Sequence, residues 1–174
     1  MKKTLKKELD ALDKEQLIQL ILDLYANRKE AKEYFNFFLN PDVDKLYEKH
    51  SKAIEKELSR YKRYKCTARI SHIRSTIKAF ASYSPGPEVV VNLMVYTVKA
   101  AITIEIRRDF TRTLASGIGK ICKDCLAYAD ANGVYSHAHK MLELALNGKC
   151  GFLLFVNFLR ESVEWPPIIR DNQR

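Results

Sequence analysis

EVVVNLMVYTVKAAITIEIR, residues 88–107, is the stretch whose reading decides the fold. Val89, Val90, Val91, Val95 and Val98 are β-branched and favour strands. Ile102, Ile104 and Ile106 alternate, as in a strand with one buried face. The run is nevertheless longer than the roughly 3–10 residues of an ordinary strand. No partner strand is apparent elsewhere in the chain. The expectation is therefore a long buried helix at the centre of the molecule. Asn92, Lys99 and Glu105 break the apolar window from Val89 to Ile106, which reads as core and not as a membrane span.

The flanking segments are helical in period. Leu5, Leu9 and Leu12 share one face of a short helix over 4–12. Asp13 reads as an N-cap, with Gln16 completing a capping box, and a helix follows over 14–26. Leu17, Leu20, Ile21 and Leu24 form one stripe of it and Ile18, Leu22 and Tyr25 a second, so it is expected to pack between neighbours. The segment 28–39 ends at Asn40-Pro41, because the residue before proline avoids the α region. Over 43–61, Leu46, His50, Ile54 and Leu58 recur four apart. Residues 62–68 show no period and read as a loop. Ile70, Ile73, Ile77 and Phe80 mark the inner face of a helix over 69–82, with Ser71, Arg74, Ser75 and Lys78 on the other face. Further helices are expected over 110–131, 136–146 and 150–163. Gly117 and Gly119 weaken the first of these and are candidates to kink it, while Asn132-Gly133 and Asn147-Gly148 are C-cap signals.

The fold class that results is all-α. A single domain of eight or nine short-loop antiparallel helices is expected over 1–165, around one core, with the long helix near 88–107 at its centre and a C-terminal tail at 166–174. The apolar share of 47% is ordinary for a globular chain and enough for a core without metal or disulfide. The four cysteines, Cys66, Cys122, Cys125 and Cys150, are expected to be reduced. Glu8, Asp10 and Asp13 interrupt any secretory apolar run after Lys2 and Lys3, so the expected location is cytoplasmic.

The blocks KKELDALDKEQLIQLILDLYANRKEAKEYFNFFLNP and AFASYSPGPEVVVNLMVYTVKAA, joined by a basic linker, resemble an all-helical bacterial family known only as a domain of unknown function. The resemblance covers roughly the first 130 residues. It implies a helix at 88–107 and brings no activity, cofactor or site residue. The opening LKKELDALDKEQLIQLILDL is superficially similar to the helix–turn–helix of SAP-type nucleic-acid-binding modules, but it lacks their Gly-containing loop.

Charge supplies the functional expectation. The net charge is +9, and the first 80 residues hold 19 Lys and Arg against 12 Asp and Glu. Leu58 to Pro87 contains no acid at all. Clustered Lys and Arg bind phosphate backbones, and interleaved aromatics stack on unpaired bases. The candidate polyanion-binding residues are Lys62, Arg63, Tyr64, Lys65, Arg69, Arg74 and Lys78. A competing reading docks these cations on acids of the same domain, Glu55 and Glu57. Cys122 and Cys125, with His137 and His139, are weak metal candidates, because both cysteines fall on or beside an apolar stripe. Gly117-Ile118-Gly119-Lys120 lacks the remaining residues of a phosphate loop. No nucleophile–base pair stands out, and His50 lies on an apolar stripe. The expectation is a non-catalytic binding protein without cofactor, contacting nucleic acid, another polyanion or an acidic protein and no membrane. The alternative is a protein–protein or self-association domain acting through Tyr34 to Leu39 or the Trp165 tail.

Overall fold

The computed structural model of the chain describes residues 1–63, 65–105, 111–147 and 153–168, with side chains at all of these except 65, 104 and 105. The described residues form helices and one short hairpin joined by turns and loops, an all-α fold as expected. They fall into two compact units, 1–42 and 43–174.

The first unit holds α1 (Lys2–Asp10), α2 (Lys14–Asn27) and α3 (Lys29–Leu39). The capping box at the start of α2 is formed: Gln16 N–H donates to Asp13 Oδ1 at 2.8 Å and Asp13 N–H to Gln16 Oε1 at 3.1 Å. Arg28, with extended backbone at φ −126°, breaks the helix between α2 and α3. The Tyr25 hydroxyl donates to Asn36 Oδ1 at 2.9 Å, and the Tyr25 and Phe35 rings sit 6.5 Å apart, tying the two helices together. The expectation that α2 packs between neighbours fails, since none of the three helices has a buried residue.

The second unit is built around α6 (Pro87–Glu105), which packs on α4 (Val43–Leu58), α5 (Ile70–Ala81), α7 (Arg112–Ala131) and α8 (Tyr135–Leu146). Val90, Val91, Leu93, Val95, Val98, Ala101 and Ile102 are all buried, so the helix hides more than one face. That surrounding accounts for the long valine-rich run. Burial at about 1.5–3 kcal/mol per large side chain outweighs a helix-propensity loss of well under 1 kcal/mol per β-branched residue. The stripe Leu46, His50, Ile54 and Leu58 of α4 is buried as its spacing predicts. α9 (Leu153–Ser162) packs on α7. The expected ends at 106–107 and 150–152 and the frayed tail at 170–174 lie outside the described residues, as does Cys150.

One local expectation is corrected. Residues 62–68 are not all loop. Tyr61–Lys62 (β1) and Lys65–Cys66 (β2) pair antiparallel, with Tyr61 opposite Cys66 and Lys62 opposite Lys65. α7 runs unbroken through Gly117 and Gly119. A Cβ at Gly117 would lie 2.4 Å from Cγ1 of Ile70, and one at Gly119 would lie 2.9 Å from Cβ of Ser162. These glycines mark where α7 meets α5 and α9 closely.

Candidate functional site

The acid-free run is divided by structure into three parts. The first is a clasp. Glu57, on the last turn of α4, has a side chain only 6% exposed. Its Oε1 accepts from the backbone N–H of Arg69 at 2.9 Å and from Arg69 Nε at 3.0 Å, and its Oε2 from Arg69 Nη2 at 3.0 Å. Arg60 Nη1 donates to the same carboxylate at 3.1 Å, and His72 Nδ1 stands 3.5 Å away. The hydrogen bonds from Arg69, opposed by burial, bring this carboxyl down to about 2. Residues 60 and 69 flank the hairpin, so Glu57 closes its base. The docking of cations on the chain's own acid is thus seen at Glu57. Glu55 instead accepts the hydroxyl hydrogen of Tyr96.

The second part is the hairpin. Lys62 and Arg63 are exposed there, and Arg63 has a left-handed φ of 49°. Tyr64 and the side chain of Lys65 lie outside the described residues.

The third part is the outer face of α5. Arg74 Nη2 donates to Asp124 Oδ2 of α7 at 2.6 Å. On one side of this pair is a groove of about 620 Å³. Its floor is Ile77, Val90, Met94 and Ile121, and its rim holds Arg74, Lys78, Tyr128 and the acid Asp124. On the other side is a cleft of about 560 Å³ lined by Ile70, Ser71, Arg74, Arg112, Thr113, Ser116, Gly117 and Lys120. Ser71 and Arg74 border both. Three cations and three hydroxyls therefore line one depression, at the start of both α5 and α7. Helix starts present backbone N–H groups and partial positive charge, which adds to the side-chain field there.

Arg112, Ser116 and Lys120 were not among the candidates. They recur four apart, and Asp124 follows at the same spacing, so one polar stripe on α7 carried the signal. It was hidden because residues 81–174 hold 11 Lys and Arg against 9 Asp and Glu, a near-balance that masks local clustering. Of the candidates, Arg69 belongs to the clasp, Arg74 and Lys78 border the groove, and Lys62 and Arg63 lie on the hairpin.

The described cysteines, Cys66, Cys122 and Cys125, are buried. Cys122 and Cys125 are fully buried, and burial pushes the Cys125 thiol up to about 12 and raises Cys122 as well. His137 Nε2 is 2.9 Å from Asn92 Oδ1, and the His139 ring lies 4.8 Å from that of Trp165. Among the described residues no three His, Cys, Asp or Glu side chains gather in a metal-binding group. His50 is buried, with Nδ1 2.8 Å from the Leu46 carbonyl oxygen, which can only accept. Among the described residues no helix is long and apolar enough to cross a membrane.

A family model described as a family of unknown function (DUF6155) matches residues 1–146. The chain belongs to this family. Its match takes in both units' first helices, the clasp, the groove and the cleft. No curated protein and no solved structure matches the chain.

Proposed function

We propose that this family member is a non-catalytic binding protein that holds a phosphate-bearing polyanion, single-stranded nucleic acid foremost, against the α5–α7 face. The observation that carries the reading is the cleft lined by Arg74, Arg112 and Lys120, with the Ser71, Thr113 and Ser116 hydroxyls among them. Guanidinium and ammonium groups neutralise phosphate, and hydroxyls donate to its oxygens. The adjoining groove supports a single strand over a duplex. A phosphate at Arg74 leaves an unpaired base beside an apolar floor that includes Met94, with Tyr128 at the rim to stack on it. The exposed Lys62 and Arg63 add to the field of the same basic unit. Of the net charge, all +9 falls in residues 43–174, which hold 22 Lys and Arg against 13 Asp and Glu.

Fluorescence anisotropy with a labelled single-stranded oligonucleotide across a salt series tests this. Arg74 is already paired with Asp124, so contacts from Arg112 and Lys120 set a slope of log K against log salt of about −1.4. The double variant Arg112→Glu/Lys120→Glu should weaken binding by about tenfold or more and remove most of that salt dependence. Negligible affinity of the unaltered chain at low salt would sink the proposal, and so would a double variant that binds as well as the original.

A further inference from the structure

Residues 1–42 present a second surface with chemistry unlike that of the cleft. Eight large apolar side chains of α2 and α3 are left exposed, among them Ile18 at 48%, Leu22 at 53%, Leu24 at 45%, Phe38 at 70% and Leu39 at 67%. Helices of 14 and 11 residues are too short to persist alone in water, so this hairpin needs cover to be ordered. At on the order of 100 Å² of exposed side chain apiece, and with α2 carrying its share on two stripes, one face of the hairpin offers about half of the roughly 800 Å² per partner of a standard interface, the scale of a weak association. Single exposed apolar residues are ordinary, but a set this large on two adjacent helices marks a contact surface.

Charge selects the occupant. Residues 14–39, which span α2 and α3, hold four Lys and Arg and four Asp and Glu, so these two helices are neutral while the rest of the chain carries the whole +9. A neutral face meets a copy of itself without net repulsion. It has no attraction for a polyanion or an anionic membrane, which would choose the basic unit. We infer that α2 and α3 are a self-association element, and that two copies of the chain pair through them into a four-helix interface. The pairing is isologous, each hairpin covering exposed apolar side chains of the other, Leu22 and Phe38 among them. A dimer carries two cationic clefts, and two tethered sites engage one long polyanion more tightly than either alone. The pairing itself does not depend on the cleft.

Light scattering after size exclusion, with sedimentation equilibrium on the full chain, tests the inference. A dimer is expected at about 100 µM protein, unchanged between about 0.1 and 0.5 M salt, because the contact is apolar. Leu22→Glu/Phe38→Glu should raise the dissociation constant by about 100-fold or more. Leu144→Glu, at an exposed apolar position of α8, should leave the dimer intact. A wild-type monomer at that concentration overturns the inference whatever the variant does. A monomer whose α2 and α3 amides are protected from hydrogen exchange also overturns it, since the hairpin is then covered within its own chain. So does an oligomer that survives the double substitution or dissolves in salt.

Discussion

Residues 43–174 and residues 1–42 are both helical, and both carry leucine, isoleucine and phenylalanine at helical spacing. Only the longer unit buries them. Phe80 is fully buried, with its ring 6.1 Å from Tyr47 and 5.2 Å from His50. Phe38 is 70% exposed. Periodicity fixes which side of a helix is apolar. Whether that side is covered depends on how many other helices are at hand. α6 has five around it, α9 included, whereas α2 within its unit has α3 beside it. Charge divides the same way: one unit is neutral, the other strongly basic.

The comparison is broken most directly by paired truncations. Phe80→Ala should cost about 3–5 kcal/mol, the usual range for removing a buried phenylalanine. Phe38→Ala should shift the same transition by less than about 0.5 kcal/mol, as surface substitutions do. Trp165, the single tryptophan, lies in the basic unit and reports its urea unfolding by fluorescence. Equal effects at the two positions would mean that the units share one core.

The clasp offers a smaller and pH-dependent contrast. Glu57 has its folded pKa held down at about 2, against an ordinary value of about 4.5, chiefly by hydrogen bonds from Arg69. A depressed carboxylate contributes stability above its unfolded pKa and loses it as pH falls through its folded pKa. That contribution should therefore be whole above about pH 4.5 and vanish towards pH 2. Glu57→Gln should cost about 2 kcal/mol at neutral pH, less than the full shift implies because both guanidinium groups stay half in water. The variant should show no such loss between those pH values. A variant with the acid sensitivity of the original would place the clasp's contribution elsewhere.

The helices, the capping box at Asp13, the buried stripe of α4 and the central α6 were legible from spacing alone. Local physics fixes each of them: apolar period, cap chemistry, and the length limit on strands. The cleft was half legible. Arg74 and Lys78 were found because they sit in a run without acids, where sequence neighbours reinforce one another. Arg112 and Lys120 come to Arg74 from α7, and only the packing of α5 on α7 joins them. The two-residue strands at Tyr61 and Lys65 carried no period to detect. The exposure of α2 was misread because two apolar stripes usually imply two neighbours, and sequence does not say whether those belong to the same chain.

The smallest effect tests what holds the cleft open. α5 and α7 approach so closely that a Cβ at Gly117 would meet Cγ1, Cδ1 and Cγ2 of Ile70 at 2.4, 2.8 and 2.9 Å. Ile70 is β-branched and stiff about χ1, so it yields less readily than a flexible side chain. On propensity alone, Gly→Ala inside a helix stabilises by about 1 kcal/mol. Overpacking costs about 1–3 kcal/mol in a tight contact. The two terms oppose, and the clash should win by about 1 kcal/mol, so Gly117→Ala is expected to be mildly destabilising. Ile70 and Gly117 both line the cleft, so the same substitution should push Ile70 outward and weaken oligonucleotide binding, with the salt slope unchanged because no cation is lost. Urea unfolding and anisotropy on one preparation read both effects. A Gly117→Ala chain that is more stable and binds normally would show that α5 is not pressed against α7, and would remove the wall on which Arg74 is brought to Arg112 and Lys120.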